Sequence, residues 1–378
     1  MRKIFIIISI FLVFVVVGVG IGKVYDNENN WLSPKGSTWR WLGKSEKEEI
    51  EAKVEKAEII EKNTGYLAQY NFENLRKREN KGSVINEIGK VLVVEEARPT
   101  IMAKYKEDGI KKVNNFESKA ISFVSNGKKI SGMMNIPNTS PSSRSGGTSV
   151  GRPAIIMIRG FADAEGYFVG SGSWKAADEL ARNGFVTISL DFLGFGLSQG
   201  ESKDILEARF EKPVGVLDLI ESVKKLKYID PDRIGIWAHS NGGQIAVSIL
   251  EITGKNYPTV LWAPMTNPFP QSILETMDDS EGGLIVKKRI QDFEKEYDSK
   301  LYSIDNFYNW IEAPILIHQG TADVWCKVKW QENFKNELEK YNKEVYLDIR
   351  EGSDHNLKES WDEVIKMDIE FFRNKMKI

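Results

Sequence analysis

A serine hydroxyl is a weak nucleophile. It becomes useful when a base takes its proton, an acid orients that base, and hydrogen-bond donors await the oxyanion. One stretch of this chain offers such a serine. "GIWAHSNGG", Gly235 to Gly243, places Ser240 after an apolar run and before "NGGQIAVSIL", which reads as a helix. A strand-to-helix turn with a serine at its apex is the strained elbow that lifts a hydroxyl above a sheet. The turn is sterically tight, so the positions two before and two after the serine must be small. Ala238 and Gly242 meet that requirement, although the more familiar pattern has glycine at both.

Only three histidines are available as the base. His239 adjoins the serine, and on a sharp turn adjacent side chains diverge, so it reads as structural. His318 ends an apolar run, "PILIH", where a hydrogen-bonded core histidine is the expectation. His355, in "EGSDHN", follows the last expected strand and precedes the last helix, and such a loop is where a parallel sheet presents catalytic groups. His355 is therefore the expected base. In the chain order Ser, Asp, His the acid lies between them, and "HQGTADVW" supplies Asp323 directly after the strand ending at His318. Asp354 competes, but its position next to His355 aims its carboxylate poorly at that ring. The expected oxyanion donors are two backbone N–H groups. One comes from Asn241, after the nucleophile, and the other from Phe161 in "IRGFADAEGY", where Gly160 lets the backbone approach closely.

These groups meet only if a sheet brings the ends of several strands together. From Pro153 onward, apolar runs alternate with helical patterns: "AIIMI", "FVTISL", "RIGIWA", "TVLW" and "PILIH" are continuous, and "EVYLDI" alternates. Unbroken apolar strands are covered on both faces, and regular alternation with helices argues for an α/β fold with a mostly parallel sheet. Residues 268–312 are longer and more polar than a simple crossover and are expected to form a cap-like insertion. Upstream, "KAISFVSNGKKISGMMNIP" reads as two alternating strands joined at Asn126-Gly127, a strong hairpin signal. "NTSPSSRSGGTSVG" then reads as a surface connection. "SEKEEIEAKVEKAEIIEK" carries a capping box and one apolar face, and is expected to be a helix.

The N-terminus differs in kind. After "MRK" comes an uncharged run from Ile4 to Gly22, roughly 28 Å of helix at ~1.5 Å per residue, close to the thickness of a bilayer core. It exceeds a usual signal-peptide core and lacks a clear cleavage motif, so residues 1–23 are expected to be an uncleaved transmembrane anchor, with cleavage near Gly18 to Gly20 as the alternative. Arg2 and Lys3 keep the N-terminus cytoplasmic by the positive-inside rule, which leaves the catalytic domain extracytoplasmic. Residues 24–116 then form a juxtamembrane linker, a helix and a small β-containing extension, and 117–378 the catalytic domain. With 52 basic against 54 acidic residues among 378, no overall field attracts nucleic acid. One cysteine, Cys326, gives no internal disulfide and no cysteine-built metal site. No cofactor or metal is expected, because this chemistry needs none.

From about Glu117 the chain resembles an α/β-hydrolase, most of all the catalytic domain of the prolyl oligopeptidase family. The resemblance is carried by "IRGF", "LARNGFVTISLDFLGFGLS", "DPDRIGIWAHSNGG", "APILIHQGTADVW" and "EGSDHN", in family order and at family-like spacing. It implies a Ser240, Asp323, His355 triad and serine hydrolase activity. The sequence departs from relatives at Arg159, before Gly160, and at Leu193 in "DFLGFG". Residues 24–116 are too few for the β-propeller that restricts many oligopeptidases to short peptides. The expected activity is a membrane-tethered serine peptidase acting on peptides through an acyl-enzyme. The alternative is a carboxylesterase or acyl hydrolase with the same machinery. Tyr167, Phe192 and Trp325, near the expected mouth, are candidates for an apolar substrate pocket, with Phe195 beside them.

Overall fold

The computed structural model describes residues 62–89, 115–138, 151–276 and 280–378. Asn63 to Ile378 form one compact unit. The expected membrane anchor and the helix following it lie outside the described residues. Among the described residues, no helix is long and apolar enough to cross a membrane.

In chain order the elements are α1 (Phe72–Lys77), β1 (Asn86–Gly89), β2 (Phe116–Ser125), β3 (Lys128–Pro137), β4 (Arg152–Ile158), α2 (Trp174–Arg182), β5 (Val186–Leu190) and α3 (Ile205–Lys224). Then follow β6 (Ile229–His239), α4 (Asn241–Thr253), β7 (Thr259–Trp262), α5 (Gln271–Leu274), α6 (Glu281–Glu296), β8 (Ile315–Gly320), α7 (Val328–Lys340), β9 (Val345–Arg350) and α8 (Trp361–Met376). The strands form one sheet in the order β1-β2-β3-β5-β4-β6-β7-β8-β9. From β5 to β9 every pairing is parallel, while β1, β2 and β3 are antiparallel. The β2–β3 hairpin turns at Asn126-Gly127, where φ is 46° and 74°. Both central residues of such a turn need positive φ, which asparagine and glycine tolerate best.

Strand order sets the location of the site. After β4 the chain crosses to β5 on one side, then returns to lay β6 on the other. The loops leaving β4 and β6 therefore diverge and open a crevice at the carboxyl edge of the sheet, the switch point where doubly wound sheets bind ligands. Strands β4, β5, β7 and β8 are buried along nearly their whole length. A large apolar core on one face takes in Leu217, Ile220, Ile249 and Leu250 from α3 and α4. A second core on the other face joins Ala177 and Leu180 of α2 to Ile365 and Phe372 of α8.

Residues 268–312 hold α5, α6 and several short 3-10 turns. The segment docks through aromatic rings: Phe269, Phe293 and Tyr302 each lie within 4.9–5.6 Å of Phe210 on α3, centroid to centroid. The described part of the N-terminal extension packs into the same core through Leu67, Tyr70, Phe72 and Leu75. It is tied there by Arg78, which binds both carboxylate oxygens of Asp218 at 2.7 and 2.8 Å. Thus residues 63–89 belong to the compact unit, whereas the sequence placed the start of the catalytic domain at 117.

Candidate active site

Ser240 lies between β6 and α4 with φ 55° and ψ −124°. A left-handed φ on a non-glycine residue is strained and persists only where the surroundings over-determine it. They do so here: the Ser240 N–H donates to Trp262 O at 2.9 Å, and its carbonyl accepts from Gly243 and Met265, both at 2.9 Å. The packing is as tight as the sequence implied. A Cβ at Gly242 would fall 2.4 Å from Ile158 O, and Ala238 is wholly buried. On the opposite loop, a Cβ at Gly160 would lie 2.8 Å from Ser240 Cβ and 3.3 Å from its Oγ. The β4 loop and the elbow thus touch through a glycine.

Asp323, after β8, accepts four hydrogen bonds. Oδ1 takes the N–H groups of Trp325 at 2.8 Å and Cys326 at 3.0 Å. Oδ2 takes Gln319 Nε2 at 3.0 Å and His355 Nδ1 at 2.8 Å. Burial pushes this carboxyl up, but the bonds from His355, Cys326 and Gln319 more than offset it, so Asp323 sits below the ordinary carboxylate range. Because the carboxylate only accepts, the His355 proton belongs on Nδ1, and Nε2 is left with a free lone pair. The structure brings Asp323 and His355 together, and His355 beside the elbow: its ring centroid is 4.8 Å from that of His239. Asp354 instead turns into its own loop, accepting from Asn356 N and Lys358 N.

His239 holds the base from behind. Its Nε2 donates to His355 O at 2.9 Å. Burial first, then the neighbouring His355, push its pKa down to about 4, so it is neutral at physiological pH. His318 is a core residue, held between Asp348 at 2.7 Å and Asp368 at 2.9 Å. Asp368 also accepts both indole N–H groups of Trp237 and Trp262. Asp323, Cys326 and His355 present donor atoms within 4.8 Å of one another. That set suits a carboxylate–imidazole pair better than a metal, since Asp323 is already saturated and burial raises the Cys326 thiol far above its usual value.

The backbone N–H groups of Phe161 and Asn241 have no acceptor among the described residues. Phe161 is 84 % exposed, at the lip of the site, and Trp325, beside Asp323, is 62 % exposed. The other two pocket candidates, Tyr167 and Phe192, pack against Arg159. Tyr167 donates to Asp191 at 3.0 Å and accepts from Arg159 Nε at 3.0 Å. Phe192 is buried, and the Arg159 guanidinium lies over Tyr167, Phe192 and Phe195 alike. These rings pack around the Arg159–Asp191 loop contact, and Phe192 also lines a small cavity with Lys212. Residues that the sequence reading did not single out, Arg209, Lys212 and Gln244, line a pocket together with Asn241, Tyr70 and Phe72.

Residues 177–378 match the family described as "Prolyl oligopeptidase family". A solved dipeptidyl peptidase 4 from Porphyromonas gingivalis superposes with a TM-score of 0.52 at 16% identity, over 71% of this chain and 37% of that one. An acetyl xylan esterase from Paenibacillus sp. R4 superposes with a TM-score of 0.53 at 14% identity, over 79% of this chain and 98% of that one. Identities this low establish a shared fold, the α/β-hydrolase fold. An Escherichia coli protein described as an uncharacterized 31.7 kDa protein in the traX-finO intergenic region is 30% identical over 95 residues, covering 25% of this chain and 31% of that protein. The chain therefore spans well under half the length of these peptidase and E. coli relatives. The family match covers more than half of this chain, and the chain belongs to the prolyl oligopeptidase family, a family of serine hydrolases.

Proposed function

We propose that Ser240, Asp323 and His355 form the catalytic triad of a serine peptidase that works through an acyl-enzyme. The observation that carries this reading is the 2.8 Å contact between His355 Nδ1 and an Asp323 carboxylate that is otherwise fully hydrogen-bonded, set beside a strained elbow serine. In this mechanism His355 Nε2 takes the proton as Ser240 Oγ attacks the scissile carbonyl. Asp323 holds the ring in one tautomer and stabilises the imidazolium. The N–H groups of Phe161 and Asn241 receive the oxyanion. As the tetrahedral intermediate collapses, His355 returns the proton to the leaving amine. A water molecule then repeats the sequence on the ester bond to Ser240, releasing a free acid. Ser240 Oγ makes no hydrogen bond among the described residues, in keeping with catalytic contacts that tighten only when substrate binds.

Esterase activity is the second reading. It is favoured by the full-length overlap with a stand-alone esterase and by the absence, among the described residues, of any domain that would sieve peptides. Turnover of aminoacyl 4-nitroanilides against matched short acyl esters by the purified chain distinguishes the two. Amide turnover supports the peptidase, and ester turnover alone overturns it. We further propose that residues 1–23 anchor the chain with its catalytic domain outside the cytoplasm, where the substrate is a peptide. Retention in the membrane pellet after alkaline extraction is the expected result, and release into the supernatant would refute the anchor.

A further inference from the structure

Arg209 and Lys212, three residues apart on one face of α3, line the same small pocket, a recess of about 40 Å³ beside the elbow. Its polar wall continues through Asn241 and Gln244 on α4. The Arg209 guanidinium meets only neutral acceptors there: Asn241 Oδ1 at 3.4 Å, Ser272 Oγ at 3.3 Å and Gln244 Oε1. Among the described residues neither Arg209 nor Lys212 has an ion pair, and the Lys212 ammonium has no hydrogen bond. Glu201 and Glu211 line a second small cavity with Lys212 and attract its charge without bonding it, whereas Arg209 faces no carboxylate. Glu211 binds Lys128 at 2.7 Å and the Ser202 N–H at 3.3 Å, and Glu207 accepts from Tyr70 and Ser202.

Two recessed like charges are costly, because each loses hydration and repels the other, and the carboxylates near Lys212 leave Arg209 uncompensated. The strain registers in both groups. Burial lowers Arg209 to about 10, and burial followed by the charge of Arg209 lowers Lys212 to about 8. Arg209 meets neutral acceptors alone, and both residues line the pocket and keep partial solvent exposure. An Arg fork beside a Lys is the donor set that a carboxylate takes up most readily. Arg209 also rests against Asn241, the residue whose N–H faces the reacting centre.

We propose that this pocket binds a carboxylate carried by the substrate within a few bonds of the scissile carbonyl, so that the enzyme prefers anionic acyl or peptidyl substrates. The inference rests on the assignment of Ser240 as nucleophile, and its test separates the two. The full chain is assayed with the 4-nitrophenyl monoester of glutaric acid and with 4-nitrophenyl valerate, a neutral ester of equal length. Within each variant the ratio of the two kcat/KM values cancels any loss of folded enzyme. A charge-assisted contact predicts a wild-type ratio of roughly 10 to 100, falling towards 1 in R209M and partway in R209K and K212M. Calorimetry adds a readout independent of turnover: glutarate binds the wild type and its neutral diamide does not, and R209M loses glutarate binding. If R209M fails to fold, K212M and R209K carry the same comparison. A wild-type ratio near 1, a ratio unchanged in the variants, or equal binding of glutarate and its diamide overturns the proposal. Glutarate binding without turnover of either ester would overturn the hydrolase reading and leave the anion site standing.

Discussion

The contact between the β4 loop and the elbow gives a sharp prediction at Gly160. An alanine there puts its methyl 2.8 Å from Ser240 Cβ, 3.1 Å from His239 O and 3.3 Å from Ser240 Oγ, where ordinary contact begins at 3.4 Å. The elbow resists yielding, because Ser240 is held at φ 55° by hydrogen bonds to the end of β7, to Met265 beyond it and to Gly243 of α4. The β4 loop must therefore retreat, by roughly 0.6–1 Å to restore van der Waals separation. That loop carries the Phe161 N–H, so the retreat opens the proposed oxyanion site by the same amount. A misplacement on the order of 1 Å in a catalytic group costs about 100-fold in rate, whereas overpacking one methyl costs about 1–3 kcal/mol of stability. G160A should thus lose about two orders of magnitude in kcat on an activated ester while still melting as a cooperative unit a few degrees below the wild type. The assay is kcat from ester hydrolysis, normalised to folded protein by thermal denaturation. A kcat within threefold of the wild type would refute the proposed contact between oxyanion loop and nucleophile, as would a loss matched entirely by unfolding.

Three further outcomes follow from buried charge. D323N keeps the size of the acid but sets an NH2 against the N–H donors that Asp323 accepts and favours the wrong His355 tautomer, so kcat should fall by about 10⁴-fold with a cooperative melt at a lower Tm; a loss under tenfold, normalised to folded protein, would remove Asp323 from the triad. His318 is raised above its ordinary value, burial opposing but Asp348 and Asp368 prevailing. Its contribution to stability is therefore full below the unfolded-state value of about 6.5 and lost as pH rises through the folded-state value. H318L should destabilise by about 3–5 kcal/mol in urea at pH 6, because it leaves Asp368 buried and unpaired. Glu251 is fully buried with neither carboxylate oxygen bonded, and burial, then the charge of Asp305, raise its pKa well above normal. Wild-type stability should decline as pH rises above about 4.5, the unfolded value, and E251L should flatten that slope and gain about 1–3 kcal/mol at pH 7; an equally steep slope in E251L would assign it to another group.

Much of this site is legible in the chain because its chemistry is scarce. With three histidines and one elbow, position relative to the expected strands singles out His355, and the loop after "PILIH" supplies Asp323. The structure then sets them 2.8 Å apart. The packing of the aromatics was less legible, for a physical reason. Tyr167 and Phe192 lie in the loops that border a hydrolase mouth, but the guanidinium of Arg159 gathers them into a packed shell, and nothing local in "DFLGFG" signals that partner. Arg209 and Lys212 escaped notice because charged residues in "LEARFEKP" read as a solvated helix face. Only the docking of Tyr70, Phe72 and Phe269 over them closes that face into a pocket. Such long-range docking leaves no periodicity to read.

The central claim is that Ser240 is a nucleophile activated by His355. Reaction of the full chain with a fluorophosphonate, followed by peptide mass spectrometry, tests it most directly. A single adduct is expected on Ser240, absent in S240A and formed far more slowly in a His355→Ala variant. No adduct, an adduct on another serine, or equally fast labelling without His355 would contradict it.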